Sequence, residues 1–400
     1  MNRKIIDAHS HLWLRQDTVV DGMPIRTLTN GRSLFMGEIR QMVPPFITDG
    51  RNTAEIFLSN MDYAQVSAAV ITQEFIDGLQ NDYLLEVVKQ YPDRFFVCGL
   101  CEFRRPGYLA QARELAARGF RAIKIPAQRL LLEEGRVWLN CNEMMEMFHF
   151  METNDMLLSI DLADGDVQTG ELEEVIQECP GLRIAIGHFG MVTRPNWLAQ
   201  IRLARYPNVR IESGGITWLF NDEFYPFHGA VKAIREAADL AGMDKVMWGS
   251  DYPRTITAIT YKMSYDFILK TGELLTRNDV RQVMDGRNFV FNEPILEKIV
   301  SRFMKSVESE RLHKDALIHY EIDEYDERFL RHLALGYTKE MITNLRGMPF
   351  GVKSLEKRQN DLISRLFDTN EKGGINATRL VVKALQLHII DLEHLEPDEE

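Results

Sequence analysis

Short apolar runs rich in Val, Ile and Phe recur along the chain, separated by longer stretches whose apolar residues fall at helical spacing. The strand-like runs cover residues 4–9, 66–72, 94–100, 119–125, 156–162, 183–188, 209–213 and 245–250. Helix-patterned segments follow each, at 53–63, 81–91, 106–118, 142–154, 169–178, 195–205, 229–240 and 259–271. Pro106 and Pro195 stand near helix starts, where a missing N–H costs little. Gly119 and Gly242 follow helices, as caps do. Several runs are apolar almost throughout, which is how parallel strands covered on both faces read. Eight strand–helix units over about 250–270 residues predict an α/β fold, a (β/α)8 TIM barrel, in preference to a doubly wound sheet. Two further helices, at 277–285 and 293–307, would close it.

Two segments break the alternation. Residues 14–51 are too long for an ordinary connection. Asn30-Gly31 and Pro44-Pro45 make the segment loop-like, and its place after the first strand sets it over the barrel mouth. Beyond residue 307 strand signals stop, and the chain becomes helical and charged, with glycines at 347, 351, 373 and 374 and an acidic end. The predicted division is a barrel over 1–307 and an added C-terminal helical domain over 308–400, for which the sequence offers no chemistry.

Composition narrows the function classes. The 400 residues are 45% hydrophobic and 26% charged, enough for a full core. Lys+Arg of 47 against Asp+Glu of 59 gives a net charge of −12, which excludes a basic nucleic-acid footprint and a polybasic membrane patch. An anionic substrate must then be drawn by local Arg and Lys residues. No signal-peptide core opens the chain, no apolar run approaches the roughly 20 residues of a membrane span, and four cysteines argue against a disulfide framework. A soluble cytoplasmic protein is the expectation, which makes the Asn376-Ala377-Thr378 sequon a chance match. Cys98 and Cys101 form a CxxC on a strand, where odd spacing sends the thiols to opposite faces, so they read as core residues. Met144, Met145, Met147 and Met151 on one helix read the same way.

The histidines fall where a barrel builds its active site. Asp7-Ala8-His9-Ser10-His11 ends the first strand, and residues two apart on a strand face one side, so His9 and His11 can close on one cation. His188 ends the sixth strand within Ile186–Gly190, and Asp251 ends the eighth within Trp248–Pro253. Imidazoles and a carboxylate converging at one barrel mouth suit a hydrolytic metal centre.

With these residues in view, the chain resembles the amidohydrolase superfamily. The likeness is to the amidohydrolase-related branch that holds sugar-acid lactonases, pyrone lactonases and carboxymuconate-semialdehyde-type decarboxylases. It runs from residue 4 to about 296 and rests on residues 7–11, GFRAIKI at 119–125, PGLRIAIGHFG at 180–190, YPNVRIESG at 206–214, GSDYP at 249–253 and DGRNFVF at 285–291. The resemblance implies one divalent metal ion, Zn or Mn. His9 and His11 match its first two metal ligands. Asp251 matches the carboxylate that binds metal or takes a proton from water, and His188 matches the acid/base or substrate-binding histidine. The family's strand-five histidine is replaced by Asp161. Asp161 either stands in as a harder oxygen ligand, favouring Mn²⁺ somewhat, or marks a site with weak or absent metal.

Further candidates are weaker. Lys124 is a substrate-facing ammonium or a buried charge beside a carboxylate. Trp13 stacks on a ring or caps the core, and Arg254 is placed to grip a substrate carboxylate. Arg32 and Arg51 lie in or beside the segment over the mouth. His228 reaches the mouth or starts a helix, and His149 reads as packing. The leading function is metal-dependent hydrolysis of a lactone or related ester or amide of a small metabolite, a sugar-acid lactone first. The alternatives are nonoxidative decarboxylation of an unsaturated or aromatic acid, and a catalytically impaired barrel that binds a metabolite to regulate something through residues 308–400. The expected partner is a small anionic substrate, with no nucleic acid and no membrane; homo-oligomerisation stays open.

Overall fold

The computed structural model describes residues 5–131, 135–270, 312–313, 315–345, 347–367 and 375–390. Eight parallel strands form the barrel: Ile6–His11, Ala68–Thr72, a third broken at Cys98 into Phe95–Val97 and Gly99–Leu100, Ala122–Pro126, Leu157–Asp161, Arg183–Ile186, Val209–Glu212 and Val246–Met247. Neighbours in sequence are neighbours in space. The ring closes where Ala8 N donates to Trp248 O at 2.9 Å and His11 N to Tyr252 O at 2.8 Å.

Alternation sorts each strand into two faces. Ile123, Ile125, Leu158, Ile160, Ile184, Ile186, Val209 and Ile211 point outward into a large core shared with the surrounding helices. Small and medium side chains, Ile6, Ala8, Val70, Cys98, Ala122, Leu157, Ala185 and Met247, fill the interior. Cys98 therefore faces in and Cys101 out, both as free buried thiols. The helices bury one stripe each, as His228–Ala241 does with Val231, Ile234 and Ala238. The last described barrel helix is Met263–Lys270; the helices expected at 277–285 and 293–307, and the motif at 285–291, lie outside the described residues.

The first strand departs from simple alternation. Asp7 pairs with Ala69 and Ser10 with Ile71, so Ala8 and His9 together oppose the single residue Val70. This bulge shifts the phase by one residue. Ile6 and Ala8 face the interior below it, and His9 and His11 face the interior above it. Asp7, on the outward phase, hydrogen-bonds Ser250 and Tyr261 instead.

The segment expected to be loop-like is a four-stranded antiparallel sheet, Asp17–Val20, Met23–Thr27, Arg32–Phe35 and Glu38–Gln41. Its tight turns use Asp21-Gly22 and Met36-Gly37, all at positive φ, as two-residue hairpins require. Trp13, Val43 and Ile47 form a small core beside it.

The chain divides into two compact units, Met1–Val300 and Ser301–Glu400. In the second, helices Glu324–Ala334, Lys339–Thr343, Val352–Leu366 and Ala377–Gln386 enclose Phe329, Leu330, Ile342, Leu355, Leu362 and Leu380. Asp326, almost fully buried, bonds Arg358 at 2.5 Å and Arg365 at 2.7 Å and ties the first of these helices to the third. No helix among the described residues is long and apolar enough to cross a membrane.

Candidate metal centre at the barrel mouth

The strand ends bring His9, His11, His188, Asp161 and Asp251 together. His9 Nε2 and His11 Nε2 lie 3.1 Å apart, and Asp251 Oδ1 is 3.9 Å from the first and 3.3 Å from the second. Ligand atoms on a tetrahedral zinc stand roughly 3.3 Å apart, so the pair already has the spacing of two ligands. Each ring is aimed from behind by a carboxylate. His9 Nδ1 is 2.6 Å from Glu212 Oε1, and His11 Nδ1 is 2.9 Å from Asp77 Oδ2. Such carboxylates fix the tautomer that leaves Nε2 free for a metal.

Asp161 serves two sides. Its Oδ1 lies 2.5 Å from Lys124 Nζ. Its Oδ2 is buried without a hydrogen-bond partner among the described residues, 3.5 Å from His188 Nε2. With His9 and His188 it forms one of two groups at the mouth whose potential ligand atoms lie within 4.8 Å of one another, the other being His9, His11 and Asp251. Lys124 is fully buried and does not line the mouth cavity. The expectation of a substrate-facing ammonium is therefore corrected: its charge neutralises Asp161.

Electrostatics divide the roles. Burial, with the charges of Lys124 and His188, lowers His9 well below the usual imidazole range and keeps it neutral. Burial opposes the charged form of His11, yet Asp77 and Asp251 override it and push the pKa up to about 10. Burial would likewise lower His188, but Asp161 carries it up to about 9. Burial works to raise Asp161, which Lys124 and His188 nevertheless hold well below the usual carboxylate range. Against the same effect of burial, His11 and His188 hold Asp251 down to about 2. Trp218 Nε1 donates to Asp251 Oδ2 at 2.8 Å and leaves Oδ1 turned to the histidines. His188 and Asp251 both sit at φ +57°, a left-handed conformation that costs a non-glycine residue energy and clusters at functional sites.

Glu212, on the seventh strand, lay within a quoted motif but was not singled out, and it occupies a slot built by glycines. A Cβ at Gly187, Gly214 or Gly249 would come within 2.8, 2.7 or 2.5 Å of its carboxylate oxygens. His188 N and Gly214 N donate into the same carboxylate, which burial pushes up to about 7. Asp77, close after the second strand, and Trp218 were also missed. They act by touching other site residues across 66 and 33 positions of sequence, which no local spacing reveals.

Above the ligands opens a cavity of about 350 Å³, lined by Trp13, Phe35, Ile76, Leu162, Trp218 and three arginines, Arg40, Arg129 and Arg254. Phe35, Arg40, Met42 and Val43 come from the sheet segment, which thus does stand over the mouth. Arg32 and Arg51 do not line the cavity, and His228 begins a helix. Arg40 pairs with Glu38 and Arg129 with Glu74, whereas Arg254 has a hydrogen bond to the Met42 sulfur.

Comparison with known proteins places the fold. The chain spans nearly the full length of solved barrels at low identity. A 2-pyrone-4,6-dicarboxylic acid hydrolase described as probable, from Acinetobacter baumannii, is 18% identical over 73% of this chain and 99% of its own, with a TM-score of 0.52. An amidohydrolase from Burkholderia multivorans with bound zinc is 16% identical over 74% and 99%, at 0.53. A 5-carboxyvanillate decarboxylase from Sphingomonas paucimobilis is 16% identical over 72% and 98%, at 0.50. At these identities the likeness is one of fold. A comparison with curated proteins finds no match. A model of a family of unknown function, DUF5932, matches residues 290–400. The model described as Amidohydrolase matches residues 6–286, well over half of the chain, and this protein belongs to that family.

Proposed function

We propose that the mouth is a metal-dependent hydrolase site that opens a lactone or related ester of a small carboxylic acid. One observation carries the reading: His9 Nε2, His11 Nε2 and Asp251 Oδ1 converge beneath an arginine-walled cavity, and Asp161 with His188 forms a second group about the same His9. His9, His11, Asp251 and Asp161 would hold one divalent cation, zinc or manganese, the two carboxylates balancing its charge. Bound there, the cation supplies Lewis acidity, bringing a water's pKa toward neutrality and polarising a carbonyl.

The chain's own groups do the proton work. Asp251 is ionised at neutral pH and accepts the proton of the attacking water. His188, fixed by the contact of its Nδ1 with Gly214 O at 3.1 Å, turns Nε2 into the site. Against burial, Asp161 raises its pKa to about 9 in the metal-free protein, and in its charged form it donates a proton to the leaving oxygen as the acyl–oxygen bond breaks. Arg254, the cavity arginine without a carboxylate partner among the described residues, anchors the substrate carboxylate. Trp13, Phe35, Ile76 and Leu162 give the cavity flat apolar walls. These walls favour a ring acid over the polyhydroxylated sugar acid expected first.

The same walls support a second reading, decarboxylation of an aromatic acid. Both fold neighbours named for a reaction carry ring acids in their names. The test is metal analysis of protein purified without chelator, then a lactone screen in a pH-indicator assay with carbon dioxide detection in parallel. One equivalent of divalent metal and proton release with lactones, lost in Asp251→Asn, is expected. Carbon dioxide release from aromatic acids without lactone opening would replace hydrolysis by decarboxylation. Metal-free protein inert to both would overturn the reading.

A further inference from the structure

Helix Asn142–Thr153 presents His149 and Glu152 one turn apart, and Cys179 caps the end of helix Thr169–Glu178 beside them. Cys179 Sγ lies 3.4 Å from His149 Nδ1, and Glu152 Oε2 lies 3.9 Å from the same nitrogen. The sulfur is fully buried, whereas the imidazole is half-exposed, contrary to its expected packing role. The carboxylate is seated: Glu152 Oε1 accepts a hydrogen bond from Gly181 N at 2.6 Å, and a Cβ at 181 would crowd that oxygen at 3.0 Å. Oε2 is thereby turned to the imidazole.

We propose that Cys179, His149 and Glu152 form a second cation site, on the outside of the barrel, for a zinc-class divalent metal with water as fourth ligand. The spacing fits. Metal–sulfur bonds of about 2.3 Å and metal–nitrogen bonds of about 2.0–2.1 Å on a tetrahedron hold sulfur and nitrogen about 3.5 Å apart. The nitrogen–oxygen edge would be about 3.3 Å, so the carboxylate closes by roughly half an ångström through side-chain rotation. One thiolate and one carboxylate neutralise a divalent charge, and sulfur with imidazole selects zinc or cobalt over magnesium or calcium. Helix packing alone accounts for the buried sulfur but not for an imidazole and a seated carboxylate turned toward it. Burial pushes the thiol up to about 11, so the metal must displace a proton and binds more tightly as pH rises. The bound metal would cross-link two helices on the barrel's outer wall.

The test is titration of the reduced full-length protein with Co²⁺, read by the near-ultraviolet charge-transfer band of a cobalt–thiolate bond. The mouth offers only nitrogen and oxygen ligands and is silent in this band. The expected result is one thiolate band in the unaltered protein and in Cys141→Ser, displaced by Zn²⁺. It should vanish in Cys179→Ser and need at least tenfold more Co²⁺ in His149→Ala. No band in the unaltered protein, or a band that persists in Cys179→Ser, would overturn the proposal. Should Cys179→Ser not fold, an undiminished band in His149→Ala, which changes an exposed ring, overturns it equally.

Discussion

Replacing Glu212 by glutamine keeps the outline of a side chain that three glycines confine, and removes its charge. All of its described hydrogen-bond neighbours that are backbone N–H groups, His188 N and Gly214 N, must donate to it, and His9 Nδ1 at 2.6 Å faces it as well. An amide has one acceptor oxygen, so its NH₂ must confront at least one of these groups. A buried donor left without a partner costs about 1–3 kcal/mol. The slot leaves no room to rotate away, because the glycine positions stand within 2.5–2.8 Å of the carboxylate for any added carbon. Loss of the carboxylate behind a ligating imidazole lowers metal affinity about 10–100-fold, or about 1.4–2.7 kcal/mol. Chelator-competition titration with Zn²⁺ measures this directly, and a thermal melt of metal-free protein measures the structural part. At saturating metal, turnover of Glu212→Gln should return to within about tenfold of the parent, because the residue positions His9 and does not touch substrate. Asp251→Asn should show no such recovery. A glutamine variant that binds Zn²⁺ as tightly as the parent would refute the positioning role.

Other outcomes follow from the same geometry. Asp161→Ala strands the buried Lys124 ammonium, which costs about 3–5 kcal/mol of stability, and it also loses the metal; adding Lys124→Met should restore the melting temperature and not the metal. A double variant that regains the metal would remove Asp161 from the ligand set, while Asp161→His should keep metal and shift competition toward Zn²⁺ over Mn²⁺. His11 is raised from 6.5 to about 10, so its imidazolium stabilises the metal-free protein fully below pH 6.5 and ceases to as pH rises through 10. Cation binding must expel that proton, so affinity should climb about tenfold per pH unit across this window; a flat profile by calorimetry would contradict the Asp77–His11 pairing. In the second unit, Asp326→Ala leaves Arg358 and Arg365 facing one another and should cost about 1–3 kcal/mol, less than a fully buried pair because both guanidiniums reach solvent; an unchanged unfolding midpoint in urea would show the pair to be incidental.

The barrel was legible because its strands are continuous apolar runs and its helices carry clean stripes, so each of the eight predicted strands and the eight helices that follow them overlaps an observed element. The sheet over the mouth was not read, although Asp21-Gly22 is a strong two-residue hairpin signal. Its strands are four or five residues long and partly exposed, and Asn30-Gly31 and Pro44-Pro45 drew attention to loop character instead. Within the site, strand-end position singled out His9, His11, His188 and Asp251, and the structure brings them together. Glu212 and Asp77 escaped because a lone carboxylate on a strand or in a loop has no signature until its imidazole partner is known. Lys124 was left with two alternatives for the same reason: only the fold reveals that Ser159 lies opposite it on the neighbouring strand, with Asp161 two residues on and within reach of its ammonium.

The bulge in the first strand also decides from which side solvent and reactant arrive. A regular strand would separate successive inward residues by two positions, about 6.6 Å of rise. Here Ala8 and His9 are adjacent and both face in, so on this strand the ligand layer rests directly on aliphatic side chains. The polar side chains that face in beside it, Lys124, Ser159 and Glu212, are buried and bonded to one another or to the ligands. Hydration, proton exchange and product departure must all use the upper opening, under the sheet that carries Phe35 and Arg40. The site is a blind well, and substitutions along the edge of that sheet would set the rates of entry and exit while leaving the chemistry at its base untouched.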